Sequence, residues 1–430
     1  MKDVKDKIIT AVLTIIIFIV PTLTLEPFIQ ADNFKINVAA RAIALLICGI
    51  ILLVLLILKR KELKFDTIDK LLLIFYAIGW ISTFFSTNIK FSLMGELNRY
   101  EVIFTIGIYL LIYYCAKNYF YYYKKFVLAT FIMASLVGIY CILECYGFLP
   151  IHDLLGIPYN SFSPSACLLN ANFLGSFISI FLPIAMCIFI FQKDKLYFLF
   201  SIILFGAMIC TLTRSAWLAF AVYSFIGLIY LIVKKDKELW KRALLLFVAF
   251  VVCFLVILFT KGNFLAKRIN TVVSETSTIV SSKQVDDSFG SGRIALWKMG
   301  VQSIINHPLI GCGPDCFRYI LVKEQPEAFY GFFERFHQSV DKVHNEYLHI
   351  AITMGIPALI IYLLAIFSIL ESNLKKMFKN RLAFIFTLCI ISYLVQAFFN
   401  ISVIMVAPIF WFVLGLSNNE KFKKEMKNKI

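Results

Sequence analysis

The chain reads as an all-α integral membrane protein of about twelve transmembrane helices with one large polar loop on the outer side, and three observations predict this. Of its 430 residues, 60% are hydrophobic and 16% aromatic, with a mean hydropathy of +0.84, more than a soluble globular domain carries. Apolar runs long enough to span recur at residues 8–24, 37–58, 70–87, 101–116, 126–146, 171–191, 196–212, 215–233, 243–260, 346–370, 382–398 and 400–417; a hydrocarbon core of ~30 Å takes roughly 20 helical residues. Finally, 27 of the 42 Lys and Arg lie in the N-terminus, the tail and every second connection between those runs.

Lys2, Lys5 and Lys7 precede the first run, and the PTLTLEP that follows it has no small-x-small cleavage pattern, so it reads as a retained helix. The clusters Lys59–Lys70, Lys117–Lys125, Lys193 with Lys195, Lys234–Arg242, Lys375–Arg381 and Lys421–Lys429 mark short cytoplasmic connections, since Lys and Arg accumulate on that side. Both termini are then cytoplasmic. A miscount by one helix would put a cluster on the wrong side. The formal net charge of +16 is accounted for by this topology and an anionic inner leaflet. With no zinc-finger spacing or recognition-helix pattern, it calls for no nucleic-acid partner.

Most of the eleven cysteines, among them Cys48, Cys115, Cys141, Cys187, Cys210, Cys253 and Cys389, lie in or at the ends of apolar runs, where Cys behaves as a small hydrophobe. Cys312 and Cys316 flank a Gly-Pro turn in the outer loop, where a disulfide is an option that their close spacing opposes. No metal-type CxxC or HExxH occurs, no metal or cofactor is expected, and no internal repeat is found.

Three segments follow: residues 1–169 with the first five helices and an outer loop, residues 170–372 with helices six to ten and the outer loop 262–345, and residues 373–430 with the last two helices and a basic tail. Within the large loop, 263–290 is rich in Ser and Thr. From Arg293 the pattern changes. Ile294, Trp297, Val301, Ile304 and Ile305 recur at helical spacing, predicting an amphipathic helix over 292–306 that His307-Pro308 ends. Gly311 and Gly313-Pro314 mark turns, and Asp315 is placed to cap a short helix through Phe317, Ile320 and Leu321. His344 falls where the chain re-enters the bilayer.

Arg99, Arg214 and Arg293 all lie on the outer side, against the usual bias. Singly, each is accounted for as a snorkelling surface cation. Together, with Arg214 in the minimal turn between the seventh and eighth runs, they point to phosphate, which a planar guanidinium binds bidentately. His344-Asn345 pairs a proton acceptor with an amide able to orient it; the plainer role is a helix-start contact to a carbonyl or head group. His307 is a helix-ending residue. Asn170 and Asn172, at the mouth of the sixth run, suit capping better than binding of sugar hydroxyls. Glu96, Glu101 and Glu144 are outer carboxylates without an assigned role, and adjacent Asp286-Asp287 lack a spaced DxD.

In order along the chain, TRSAW (211–217 region), GRIALW (292–297), NHPLIGCGPDCF (306–317) and HNEYLHIAITMGIPALIIY (344–362) resemble the O-antigen ligase/polymerase superfamily of bacterial membrane glycosyltransferases. The resemblance covers roughly residues 170–370, and the NRYE around Arg99 shares it. It implies a metal-independent, cofactor-free transferase of GT-C-like type with a glycan on undecaprenyl diphosphate as donor and a glycan, lipid or protein as acceptor. On the matching positions it implies diphosphate binding by Arg214 and Arg293, with His344 as general base; Arg99, Asn345 and Asn172 are the further substrate-binding candidates, the two amides from the residue reading alone. In one departure, Ser-Ala follows Arg214 where many members have a glycine. Ligase and polymerase uses stay open. The alternative is a polytopic transporter or lipid-linked sugar flippase, but such proteins place ionisable groups near the midplane, and here the span interiors are nearly free of charge.

Overall fold

The computed structural model describes residues 4–24, 33–96, 99–149, 164–263, 265–266, 270, 289–338 and 340–427, and every regular element among them is helical. The first half of the bundle is α1 (Val4–Thr22), α2 (Asn33–Leu58), α3 (Thr67–Phe84), the short α4 (Ile89–Met94), α5 (Ile103–Tyr119) and α6 (Lys124–Tyr146). The second comprises α7 (Ala171–Gln192), α8 (Lys195–Cys210), α9 (Arg214–Lys234) and α10 (Lys237–Thr260). In the long loop before the next apolar helix are α11 (Phe289–Asn306), α12 (Phe317–Glu324) and α13 (Pro326–Phe336); α14 (Glu346–Leu374), α15 (Arg381–Phe398), α16 (Ala407–Ser417) and α17 (Glu420–Lys427) close the chain. Eight of these (α2, α3, α6, α7, α9, α10, α14 and α15) are long and apolar enough to cross a membrane, and α8 and α16 are shorter apolar helices. The protein is thus an all-helical, polytopic membrane protein; the count of twelve spans stays an expectation.

Short polar residues set the helix starts. Asp66 forms a capping box with Asp69 on α3, while Asp194, Asp236 and Asn380 cap α8, α10 and α15 on the basic side of the bundle. At the opposite end Asn88, Asn170 and Asn345 cap α4, α7 and α14. Each side-chain oxygen satisfies an otherwise orphaned amide, worth ~1 kcal/mol. Lys193 and Lys235, both in the left-handed region, end α7 and α9 one residue before the next cap, which makes the hairpins tight. The amphipathic helix predicted over 292–306 lies within α11, and His307 follows its end.

The largest departure from the sequence reading is in α14, where the run 346–370 is not one straight span. Gly355 has φ 85 and ψ 166, which breaks the helix into segments 346–354 and 356–374. Tyr362 in the second segment donates to Glu346 Oε1 in the first at 3.0 Å. Sixteen residues of straight helix would separate the two by ~24 Å, so the segments fold against each other. Pro357 removes an amide at the break, and the loop supplies what the helix then lacks. Ile356 N donates to the Pro308 carbonyl at 2.8 Å, while Cys312 N and Gly313 N donate to the carbonyls of Ile352 and Thr353, each at 2.9 Å. Ser82 Oγ adds a bond to the Thr353 carbonyl at 2.6 Å. The motifs NHPLIGCG and MGIP are therefore two halves of one joint.

A Cβ on Gly355 would stand 2.3 Å from the Leu309 carbonyl oxygen, and one on Gly311 2.5 Å from the Thr353 carbonyl carbon. Gly355→Ala combines that clash with a backbone region essentially reserved for glycine, and is expected to cost more than ~2 kcal/mol. Thermal unfolding of the purified protein checks this, with Gly227→Ala, which meets nothing within 4 Å, as the silent comparison.

Two smaller expectations are corrected. The last apolar helix begins at Ala407, with Pro408 in its first turn, not at 400; Pro is favoured in that first turn, where its missing N–H leaves no intrahelical bond unmade. Asp315 does not cap α12, whose N-cap is Cys316 without a side-chain bond. The backbone of Asp315 is left-handed (φ 60), and its carboxylate turns to Glu96 N and Lys342 instead. Cys312 and Cys316 are free thiols, bonded to the Gly313 carbonyl and to Asn88 and Ser92 respectively. The Ser/Thr-rich stretch 263–290 falls mostly, and Asp286-Asp287 entirely, outside the described residues.

Candidate functional site

The site is built around the short strap 340–345 that leads into α14. Val340, Lys342, Val343 and Asn345 are buried, leaving Asp341 and His344 as its partly exposed members. His344 has φ 51, a conformation that costs a non-glycine residue of order 1–3 kcal/mol and is held only when its surroundings over-determine it. Lys342, 1% exposed, forms an ion pair with the equally buried Asp315 and lies 3.1 Å from His349 Nε2. On its other side, Asn345 caps α14 by accepting from Leu348 N at 3.0 Å. Two anchors thus fix His344.

Arg99 arrives from the turn between α4 and α5. That turn is fixed by Glu96, whose amide donates to Asp315 Oδ2 at 2.7 Å and whose carboxylate meets Arg318 at 3.1 Å. Arg99 directs Nε and Nη2 to one oxygen, Asp341 Oδ2, at 2.7 and 2.6 Å. Its guanidinium also stands 5.8 Å from the Phe173 ring on α7. Arg293 approaches from α11, which packs on the first segment of α14. A Cβ on Gly300 would come 2.9 Å from both Val343 and Ile352, and Trp297 meets Phe398 edge-on at 5.6 Å.

The electrostatics follow from this packing. Burial and the guanidinium of Arg293 push the His344 imidazole down, Asp341 opposes them, and Arg99 adds to the fall, leaving a pKa of about 4. His344 is therefore neutral at neutral pH. Burial works against ionisation of Asp341, but Arg99, His344 and Lys342 outweigh it and hold the carboxyl below its usual range. Glu96 is shifted the other way by burial and by Asp341 and Asp315.

Of the residues singled out in the sequence, Arg99, Arg293 and His344 are brought together. Arg214 opens α9 at the same end of the bundle, after Leu212 in the left-handed region. The neighbouring Thr213 Oγ1 donates to the Ala171 carbonyl at 3.0 Å, and Gly175 of α7 gives the Thr213 methyl its room. Thr213, next to Arg214, and Arg99 thus both lean on the start of α7, at residues 171 and 173. Asn172 sits between: its amide is capped by Asn170 at 2.8 Å, as the capping reading of Asn170 expects, and its carbonyl accepts from Asn400 at 3.1 Å. The side-chain oxygen of Asn345 is engaged in its cap.

Sequence reasoning missed Asp341 and the buried pair Lys342–Asp315. The available signal was DKVH itself, an acid three residues before the candidate base. Among the described residues no three His, Cys, Asp or Glu side chains group as metal ligands. What the cluster offers is two guanidiniums, one carboxylate and a neutral imidazole, a set that binds an anion and accepts a proton beside it.

Residues 199–363 match the family model described as O-antigen ligase. This supports the superfamily resemblance read from the motifs, and the matched span includes Arg214, Arg293, Asp341 and His344. No curated protein matches the chain.

Proposed function

From the match of residues 199–363 to the family model described as O-antigen ligase, which supports ligase- or polymerase-type glycan transfer, we propose the following reaction. A glycan passes from an undecaprenyl-diphosphate carrier to an acceptor hydroxyl at the outer face of the cytoplasmic membrane, with both termini of the protein in the cytoplasm. The observation that carries this reading is the neutral His344 set beside Arg293 and the Arg99–Asp341 pair.

The acceptor oxygen attacks the anomeric carbon of the donor sugar, and the bond from that carbon to the diphosphate oxygen breaks. The hydroxyl proton passes to His344, and the diphosphate leaves with the bonding electrons. Arg293 and Arg214 hold the diphosphate, whose negative charge grows as the bond breaks, so fixed guanidiniums favour the transition state over the ground state. Arg99 acts through Asp341 as a positioning residue. Asn345, next to His344 in the chain, and Asn172, next to the Phe173 ring that Arg99 faces, contribute backbone or amide contacts to sugar. The Arg293 and Arg99 charges that depress His344 are compensated once a diphosphate is bound, so the imidazole becomes a stronger base in the loaded enzyme than in the free one.

Purified protein incubated with a labelled undecaprenyl-diphosphate oligosaccharide tests the proposal, scoring transfer to candidate acceptors against elongation of the donor. Absence of both overturns it. Arg214→Lys and Arg293→Lys keep the charge but lose the planar fork. Each is expected to cost roughly 10- to 100-fold in turnover, the worth of one charged hydrogen bond of ~1.5–3 kcal/mol. Near-wild-type rates in both would remove the diphosphate role. The pH profile has a definite sign. Free His344 protonates near 4, so kcat/KM should hold from neutral pH down toward 5 and fall below it, while the acid limb of kcat should lie at higher pH.

A further inference from the structure

At the end of the bundle opposite His344, a cavity of about 720 Å³ opens between α7, α9, α10 and α15. It lies within the ~300–1,000 Å³ of typical ligand sites. Its wall runs from Pro183 and Phe220 in mid-helix past Gly227 and Phe247 to Trp240 and Lys241 at the basic end. Leu228, Leu244 and Phe247 line it and are also exposed to the surroundings of the bundle. The opening therefore faces the bilayer sideways, and only a hydrocarbon chain enters it without a desolvation penalty.

The rim is cationic. The two connections that border it, 193–195 and 234–242, hold seven Lys and Arg against three Asp and Glu. Lys241 lines the cavity and pairs with exposed Glu238 at 2.8 Å. Next to it, Arg242 Nη1 donates to the carbonyls of Ile190 and Phe191, both lining residues, at 2.9 and 3.2 Å. The buried Arg242 Nε has no protein acceptor.

We infer that this cavity holds one acyl chain of an anionic phospholipid from the leaflet opposite the transfer site, with the phosphate at the Lys241–Arg242 rim. The inference rests on the membrane reading of the chain and is independent of the transfer reaction. An apolar slot alone would accept any lipid. The rim selects the anionic one, and Trp240 at the same level is the residue type that sits at a head-group boundary.

Native mass spectrometry of the full-length protein in detergent, with equal amounts of phosphatidylglycerol and phosphatidylcholine of the same chains, tests it. Wild type is expected to retain phosphatidylglycerol about fivefold over phosphatidylcholine, corresponding to ~1 kcal/mol for one cation near an anionic surface. Gly227→Phe, whose new side chain starts in open space, should fill the slot and lose bound lipid of either kind with its melting temperature in lipid-free detergent maintained. Lys241→Glu should keep a bound lipid and lose the preference. Equal retention of the two lipids by wild type, undiminished lipid on Gly227→Phe, or displacement of phosphatidylglycerol by an equal amount of a neutral polyprenol would each overturn the assignment.

Discussion

His344→Ala should lower turnover by roughly 10²- to 10⁴-fold, the range for removing a general base, while binding of the lipid-linked donor survives. The split follows from the proposed mechanism, in which a base acts on the acceptor proton and the guanidiniums hold the donor. His344→Gln keeps a hydrogen-bonding side chain that accepts no proton near neutral pH. A Gln variant as active as wild type would leave the residue a positioning role only. His307→Ala is the comparison. Its Nε2 contacts Glu324 at 2.8 Å, away from the strap, so it should affect folding more than catalysis. Loss of turnover in His307→Ala alone, with normal membrane insertion, would overturn the assignment of His344 as the base.

The second large effect is on stability. Lys342→Met should destabilise the protein by about 3–5 kcal/mol, the cost of leaving one partner of a buried ion pair uncompensated; both side chains here are 1% exposed. Lys342→Met with Asp315→Asn should recover most of that loss, since the amide still accepts from Glu96 N but carries no buried charge. Melting temperatures of the two variants decide it. A double variant no better than the single one would mean that Lys342 acts through His349 and not through Asp315. Because the pair holds the strap, the single variant should also lose activity at temperatures where it is still folded.

How much of this was legible in the sequence depended on the range of the interaction. Helix α11 was found because its apolar residues repeat every three to four positions, a local signal. Asn170 as a cap was found for the same reason. The break in α14 was not, although Gly355 and Pro357 were in view, because apolar periodicity continues across it and the residues that satisfy its carbonyls lie some forty positions earlier, in the loop. Asp341 was missed because an acid in a polar loop is unremarkable until Arg99, 242 residues away, is brought onto it. The depressed pKa of His344 was likewise unreadable, since it depends on burial and on two arginines from separate segments. Arg99 and Arg293 stand out in the sequence because cations on that side are rare, and His344 because a proton acceptor there adjoins an amide; the structure brings the three near one another.

The joint between Gly355 and the 308–313 loop also orders biogenesis. The loop is synthesised before its partner helix, and until residues 352–356 follow, the amides of Cys312 and Gly313 have no α14 carbonyls to meet. The loop therefore cannot finish folding on its own; it waits for the next helix to be made and to turn back at Gly355. A chain stopped before residue 352 would carry every residue of the Arg99–Asp341–His344 cluster and still present an unfinished loop, open to proteases.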